Sequence, residues 1–159
     1  MDFDPGTAIL AGLVATAVMT ALMYAGASMM SVRMDMPMML GTMMMPPGSA
    51  ARMAGLVMHF VAGTVFFIIY AALFDAFGID STVAGWAALF GLVHGVLAGL
   101  MMVMMPMMHS RMATAGAVAG SGEVEAPGLF GKNLGQMAPM AIVALHVVFG
   151  LVGGAIYAA

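Results

Sequence analysis

The chain has 159 residues, of which 64% are hydrophobic and 7% are charged. A soluble domain carries about 25% charged residues, so this composition excludes a soluble protein and predicts the lipid bilayer as its partner. Four basic residues and a net charge of −3 argue against nucleic-acid binding. The absence of cysteine excludes disulfides, cysteine-ligated zinc and iron–sulfur clusters, so a soft-metal site would have to use methionine and histidine.

Four stretches contain no Asp, Glu, Lys or Arg: residues 5–32, 53–74, 81–110 and 133–159. Each exceeds the ~20 residues that a helix needs to cross the hydrocarbon core of a bilayer. The alternating segments of about 10 residues that are typical of a transmembrane β-barrel are missing. We predict an all-α fold and a single transmembrane domain, residues 1–159. It is an up-down four-helix transmembrane bundle with helices at about 5–31, 50–74, 81–107 and 134–158.

The first predicted helix has a well-defined start. Asp4 is a favourable N-cap residue, and Pro5 suits the first helical position. Asp2 and Asp4 also stand where a cleavable signal peptide would carry positive charge. We therefore expect the first apolar segment to be retained as a membrane helix.

The loops after the first and third helices differ in character. The first, residues 32–49, is apolar but contains Pro37, Pro46 and Pro47, which predicts a short interfacial helix or a partly re-entrant segment. The other, residues 109–133, is rich in alanine and glycine and is predicted to be flexible.

The positions of the basic residues predict the orientation. These two loops share one side of an up-down bundle, and they are flanked by Arg33, Arg52, Arg111 and Lys132. The opposite side carries acidic side chains but no basic one. Because lysine and arginine accumulate in cytoplasmic loops, we expect these two loops inside the cell and both termini outside.

Most of the 23 methionines lie in two stretches, residues 29–45 and 101–108, on the predicted inner side. Packing in irregular gaps explains their number but not their one-sidedness; an adaptable surface for a partner is another interpretation. Thioether sulfur favours Cu(I), and imidazole suits copper, so the pattern also fits soft-metal handling. The candidate ligands are Met34, Met36, Met38, Met39, Met101, Met104, Met105, Met108, His94 and His109.

Helices two and four share the motif H-x3-G-x6-Y, which starts at His59 and at His146. Helices one and three share Gly-Leu-Val, which starts at Gly12 and at Gly91. These matches predict two tandem helical hairpins related by an axis along the membrane normal. Glycines spaced by four residues predict close helix packing, within the bundle or in a homo-oligomer.

Three histidines fall inside the predicted spans. His59, His146 and His94 lie roughly 10, 15 and 18 Å from the inner ends of their helices, at 1.5 Å per residue. Such residues are functional candidates by default, although a neutral histidine can simply bond a neighbouring helix. His59 and His146, related by the motif, could also bind a haem b iron from both sides, with the nearby glycines making room for the ring.

The sequence offers little that indicates catalysis. No carboxylate lies within a predicted span, and no nucleophile–base pair is apparent, so we predict a non-enzymatic protein. Handling or buffering of a soft metal such as Cu(I) is the first interpretation, and a bis-histidine haem b protein is the second. The third is a structural accessory subunit of a larger membrane complex.

The chain resembles a group of small, uncharacterised prokaryotic four-helix membrane proteins. The resemblance is carried by the string from Gly12 to Thr20, by Met36-Pro-Met-Met-Leu-Gly41, by Gly55-x3-His59-x3-Gly63 and by Gly91-x2-His94. It implies the four-helix fold and a location in the prokaryotic cytoplasmic membrane, and it implies no activity.

Overall fold

The computed structural model describes residues 2–114 and 116–159, apart from the side chain of Met30. The description does not include Met1, Ala115 or the side chain of Met30. Met1 belongs to the predicted domain, Ala115 to the predicted flexible loop, and Met30 to the first methionine-rich stretch. The chain is 71% helical, and the described residues form no strand, so the predicted all-α four-helix bundle is confirmed. The helices are α1 (Pro5–Met30), α2 (Met36–Gly41), α3 (Ser49–Ala76), α4 (Val83–Met101), α5 (Met105–Met108) and α6 (Ala138–Tyr157).

Four of these segments are long and apolar enough to cross a membrane: Pro5–Met29, Ser49–Ala76, Val83–Met108 and Ala138–Tyr157. Their mean hydropathy lies between 2.0 and 2.2. Four such helices in one short chain identify an integral membrane protein. Lipid therefore surrounds the exposed apolar side chains of the spans.

The third span changes its helical geometry near its end. Regular α4 stops at Met101, Met102–Met104 form a 3₁₀ turn, and α5 follows with Pro106 in its first turn. Proline has no backbone N–H, and its ring clashes with the carbonyl four residues earlier, so the helix cannot continue unchanged through Pro106. The predicted uninterrupted helix to about residue 107 is therefore two helices joined by a tighter turn.

The fourth span begins later than about residue 134, where the sequence predicts it. Leu129–Leu134 form a 3₁₀ turn, and Gly135 follows with a backbone φ of 146°, a conformation that residues with a side chain rarely adopt. Helix α6 starts beyond this break, at Ala138.

The loop that contains the 3₁₀ turn carries hydrogen-bonded structure. Met112 and Val124 form an isolated parallel bridge, with Val124 N donating to Arg111 O at 2.9 Å. The Asn133 side-chain amide donates to Ala126 O at 2.9 Å.

The chain divides into two compact units, to which each of the four long helices contributes a segment. We call the first the aromatic unit, consisting of Met1–Leu22, Phe60–Gly95 and Val143–Ala159. We call the second the methionine unit, consisting of Met23–His59 and Val96–Ile142.

The core of the aromatic unit is built around Phe67, which is fully buried. Its ring lies 5.8 to 6.5 Å from the rings of Tyr70, Phe74, Phe149 and Tyr157. A Cβ atom at Gly153 would collide with the Phe67 ring, so glycine on α6 makes room for it.

Small residues bring helix backbones together in the aromatic unit. A Cβ atom at Gly12 on α1 would lie 2.8 Å from the Thr64 Cα on α3. A Cβ atom at Gly91 on α4 would collide with the carbonyl oxygen of His146 on α6. Such contacts drive helix association in lipid, where packing replaces the hydrophobic effect. The tandem duplication of the two hairpins stays a prediction.

In the methionine unit, the short helix α2 lies against the first turns of α3. A Cβ atom at Gly41 would collide with the Ala51 backbone, and one at Gly55 would collide with the Pro37 carbonyl. Asp35 caps α2 by accepting from Met38 N at 3.1 Å. Its carboxylate also pairs with the Arg52 side chain at 2.9 Å, which ties the start of α2 to α3.

Candidate metal-binding site

His109, a predicted metal ligand, is 4% exposed and connects two segments of the methionine unit. The Arg111 N–H donates to its Nδ1 at 3.1 Å, which makes Nδ1 an acceptor and places the ring proton on Nε2. Nε2 lies 2.9 Å from the carbonyl oxygen of Met39 and 3.2 Å from the Thr42 hydroxyl. Both ring nitrogens are thus hydrogen-bonded to protein, so His109 joins these segments as a structural clasp, and its role as a metal ligand stays a prediction.

The predicted methionine ligands divide into buried and exposed side chains. Met34 and Met39 are buried, and Met36, Met38 and Met105 are half-buried. Met101, Met104 and Met108 are exposed, as is Met107, with exposed fractions from 48% to 84%. The exposed side chains of this set all lie on the third span, which ends at Met108, whereas Met34 and Met39 serve the packing of the unit.

The distribution of methionine follows the two units. Of the 23 methionines, all except Met1 and Met19 belong to the methionine unit. The four basic residues, Arg33, Arg52, Arg111 and Lys132, also belong to it. Arg33 pairs there with Glu125 at 3.1 Å.

His94, the remaining predicted metal ligand, lies in the aromatic unit and is half-buried. Its ring centroid is 4.7 Å from that of His146, with the two planes at 70°. The Tyr70 hydroxyl lies 3.1 Å from its Nδ1, and the Phe66 ring packs on it at 4.1 Å between centroids. The structure therefore brings together two histidines and one tyrosine from three different helices.

Depth within the spans made both His94 and His146 functional candidates, but the sequence did not pair the two and did not single out Tyr70 for this site. One signal was available, because the estimated depths of His94 and His146 differ by only about 3 Å. Depth alone does not tell how each helix is rotated about its own axis. That rotation decides whether two rings at the same depth meet.

The predicted haem ligands belong to different units, His59 to the methionine unit and His146 to the aromatic unit. The glycines expected to make room for a porphyrin are filled by protein. A Cβ atom at Gly63 would collide with the Thr16 hydroxyl, and one at Gly150 would collide with the Ala87 carbonyl. These glycines serve helix packing at both contacts, and haem binding stays a prediction.

Within residues 2–114 and 116–159, no group of three or more His, Cys, Asp or Glu side chains could hold a metal ion. A metal site in the described part would therefore depend on thioethers or on fewer than three imidazoles. Comparison with protein families, curated proteins and solved structures finds no match to this chain. The resemblance to small four-helix membrane proteins stays a prediction.

Proposed function

We propose that this protein is a non-enzymatic integral membrane protein of a prokaryotic cell, and that its methionine unit binds a soft metal ion such as Cu(I). The ion comes from the cytoplasm. The observation that carries the proposal is the confinement of methionine, other than Met1 and Met19, to one of the two units. Lipid does not distinguish methionine from leucine as an apolar side chain. A one-sided distribution therefore indicates a property that leucine lacks, and the soft sulfur is that property.

Exposure of the sulfur-bearing side chains supports exchange of an ion. Met101, Met104, Met107 and Met108 project from the end of the third span, within eight residues of one another. Met107 and Met108 end this span, so their flexible thioethers lie nearest the membrane boundary and can bind and release a monovalent ion there without unfolding the bundle.

The charge distribution supports the cytoplasm as the source of the ion. The methionine unit contains every basic residue of the chain, whereas the aromatic unit contains Asp2, Asp4, Asp75 and Asp80 and no basic residue. The positive-inside tendency then orients the first and third loops toward the cytoplasm and both termini outward.

The test is a titration of the purified protein in lipid nanodiscs with Cu(I) under anaerobic, reducing conditions, against a chelator of known affinity. The variant carries Leu at positions 101, 104, 107 and 108, where leucine keeps the bulk and removes the sulfur. We expect this variant to bind fewer ions per chain than the wild type, or to bind them at least ~10-fold more weakly, a difference of about 1.4 kcal/mol.

A matched control changes Leu89, Leu92 and Leu100, also exposed on the third span, to Ile. This control should bind as the wild type does. Equal Cu(I) binding by the wild type and the methionine variant, or no binding by either, would contradict the proposal. A Soret band in the purified protein would favour the haem alternative, and failure to purify the chain without a stoichiometric partner would favour an accessory subunit.

A further inference from the structure

Two histidines of the aromatic unit face each other across the contact between α4 and α6. The ring centroids of His94 and His146 are 4.7 Å apart, and the planes are inclined at 70°. The inclination of 70° makes this a T-shaped contact, and the short separation of the centroids brings the two imidazoles within reach of one shared ion.

Glycine packing fixes the separation of the two helices at this point. A Cβ atom at Gly91 would collide with the His146 carbonyl oxygen. A Cβ atom at Gly95 would lie 3.0 Å from both the His146 Cβ and the Val143 Cα. The backbone that carries His146 is therefore held directly against α4, so the imidazoles are held in place before any ligand arrives.

Tyr70 contacts Nδ1 of the His94 ring, which leaves Nε2 as the nitrogen that would bind an ion. Its hydroxyl lies 3.1 Å from His94 Nδ1, and the Phe66 ring packs on the same imidazole. Metal-binding histidines usually have their second ring nitrogen hydrogen-bonded in this way, which fixes the orientation of the ring. Tyr70 therefore acts as a positioning residue for His94.

The spacing of the rings is close to that of two imidazoles on one ion. A nitrogen–metal bond of ~2.0 Å places each ring centroid ~3.2 Å from the metal, so two imidazoles at a tetrahedral angle have centroids ~5.2 Å apart. The observed 4.7 Å is about half an ångström shorter. A linear arrangement would require ~6.4 Å, so the pair favours a bent site completed by a further ligand such as water.

The surroundings favour a monovalent ion. His94 and His146 lie within spans that contain no Asp or Glu. A charge inside a membrane is costly, and a divalent ion without an anionic ligand costs more than a monovalent one. Imidazole suits copper, so Cu(I) and its redox-stable analogue Ag(I) are the ions that fit.

We propose that His94 and His146, with Tyr70 as a positioning residue, form a binding site for one monovalent soft metal ion inside the aromatic unit. The identity of the ion rests on the proposed function. The site itself is distinct from the exposed methionines of the methionine unit.

The experiment is a titration of the protein in nanodiscs with Ag(I), with ion stoichiometry and histidine ring NMR as the two readouts. We expect His94→Phe and His146→Phe each to lose one bound ion per chain, whereas His59→Phe, a control at another span histidine, keeps it. Tyr70→Phe should keep the stoichiometry and weaken this ion by ~10–100-fold.

The NMR readout uses the unaltered protein, so it does not depend on whether the variants fold. One equivalent of Ag(I) should shift the ring resonances of His94 and His146 together and leave those of His109 unchanged. Shifts at neither ring, or full stoichiometry in both phenylalanine variants, would overturn the site. The variant with leucine at positions 101, 104, 107 and 108 should retain this ion. Failure of the proposed methionine site can therefore be distinguished from failure of the histidine site.

Discussion

His109 illustrates how the atoms that surround one residue decide its role. Composition and position made it a reasonable metal ligand, beside a run of methionines at the end of a span. Its neighbours are instead the Arg111 N–H, the Met39 carbonyl and the Thr42 hydroxyl, which satisfy both ring nitrogens. No periodicity in the sequence predicts this clasp, because it joins residues about seventy positions apart.

Two glycines of α4 provide a matched test of helix packing at the residue scale. Gly91→Ala places a methyl group against the His146 backbone, whereas Gly85→Ala places it in open space. We expect Gly91→Ala to destabilise the bundle by about 1–3 kcal/mol, the usual cost of overpacking. Gly85→Ala should be neutral or stabilising, because alanine favours a helix over glycine by up to ~1 kcal/mol.

The measurement is the midpoint of thermal unfolding in one detergent for both variants. Equal midpoints for Gly85→Ala and Gly91→Ala would show that α4 and α6 are not held at the described distance. The proposed histidine site would then lose the fixed geometry on which it depends.

At the scale of the element, the sequence predicts where the spans lie better than how they end. Three of the charge-free stretches contain a whole span, and the stretch 53–74 forms the middle of the span Ser49–Ala76, because crossing a bilayer requires ~20 apolar residues whatever their order. The 3₁₀ turn before Pro106 and the late start of α6 after Gly135 depend on backbone geometry at single positions. Helix α2 has a local sequence signature at its start, with Asp35 as its cap and Pro37 in its first turn.

The two hairpins also differ in register, which the shared motifs did not predict. Gly12 lies against Thr64, five residues beyond His59, whereas Gly91 lies against His146 itself and Val147. The difference is about one helical turn. A motif alignment therefore does not place the two motif histidines at equivalent points of their hairpins.

The start of α1 provides a test that depends on pH. Asp4 Oδ1 accepts from the backbone of Gly6 and Thr7, and Oδ2 accepts from the Thr7 hydroxyl at 2.7 Å. These bonds, with that from the Thr7 side chain as the largest cause, lower the pKa of Asp4 from its ordinary value. Because the pKa is lower in the folded state, the charge-dependent part of the capping stabilisation is fully present above an ordinary aspartate pKa, about 3.9, and is lost as the pH falls through the lowered value.

We expect Asp4→Ala to lower the unfolding midpoint at pH 7 and to lower it by less once the pH is below the Asp4 pKa, because the protonated carboxyl keeps only the neutral part of the cap. Asp4→Asn is the matched control, since asparagine also caps a helix but does not titrate. Unfolding midpoints at pH 7 and at acidic pH test this expectation. An Asp4→Ala effect that is equal at both pH values would contradict the assigned role of the carboxylate.

For the whole molecule, the collection of methionine and basic residues in one unit follows from the alternating direction of successive helices. Successive helices in an up-down bundle run in opposite directions, so the sequence alone brings the first and third loops to one side. The orientation of that side in the membrane is a separate matter, and it depends on only four basic side chains. The proposed source of the ion depends on it directly.

Because the chain contains no cysteine, single-cysteine variants can report this orientation without background. Ser81 in the aromatic unit and Ser121 in the methionine unit are both exposed serines outside helices, and they form a matched pair. Intact cells expressing Ser81→Cys or Ser121→Cys would be treated with a membrane-impermeant maleimide. We expect labelling of position 81 in intact cells and of position 121 only after permeabilisation; labelling of position 121 in intact cells would contradict the proposed orientation.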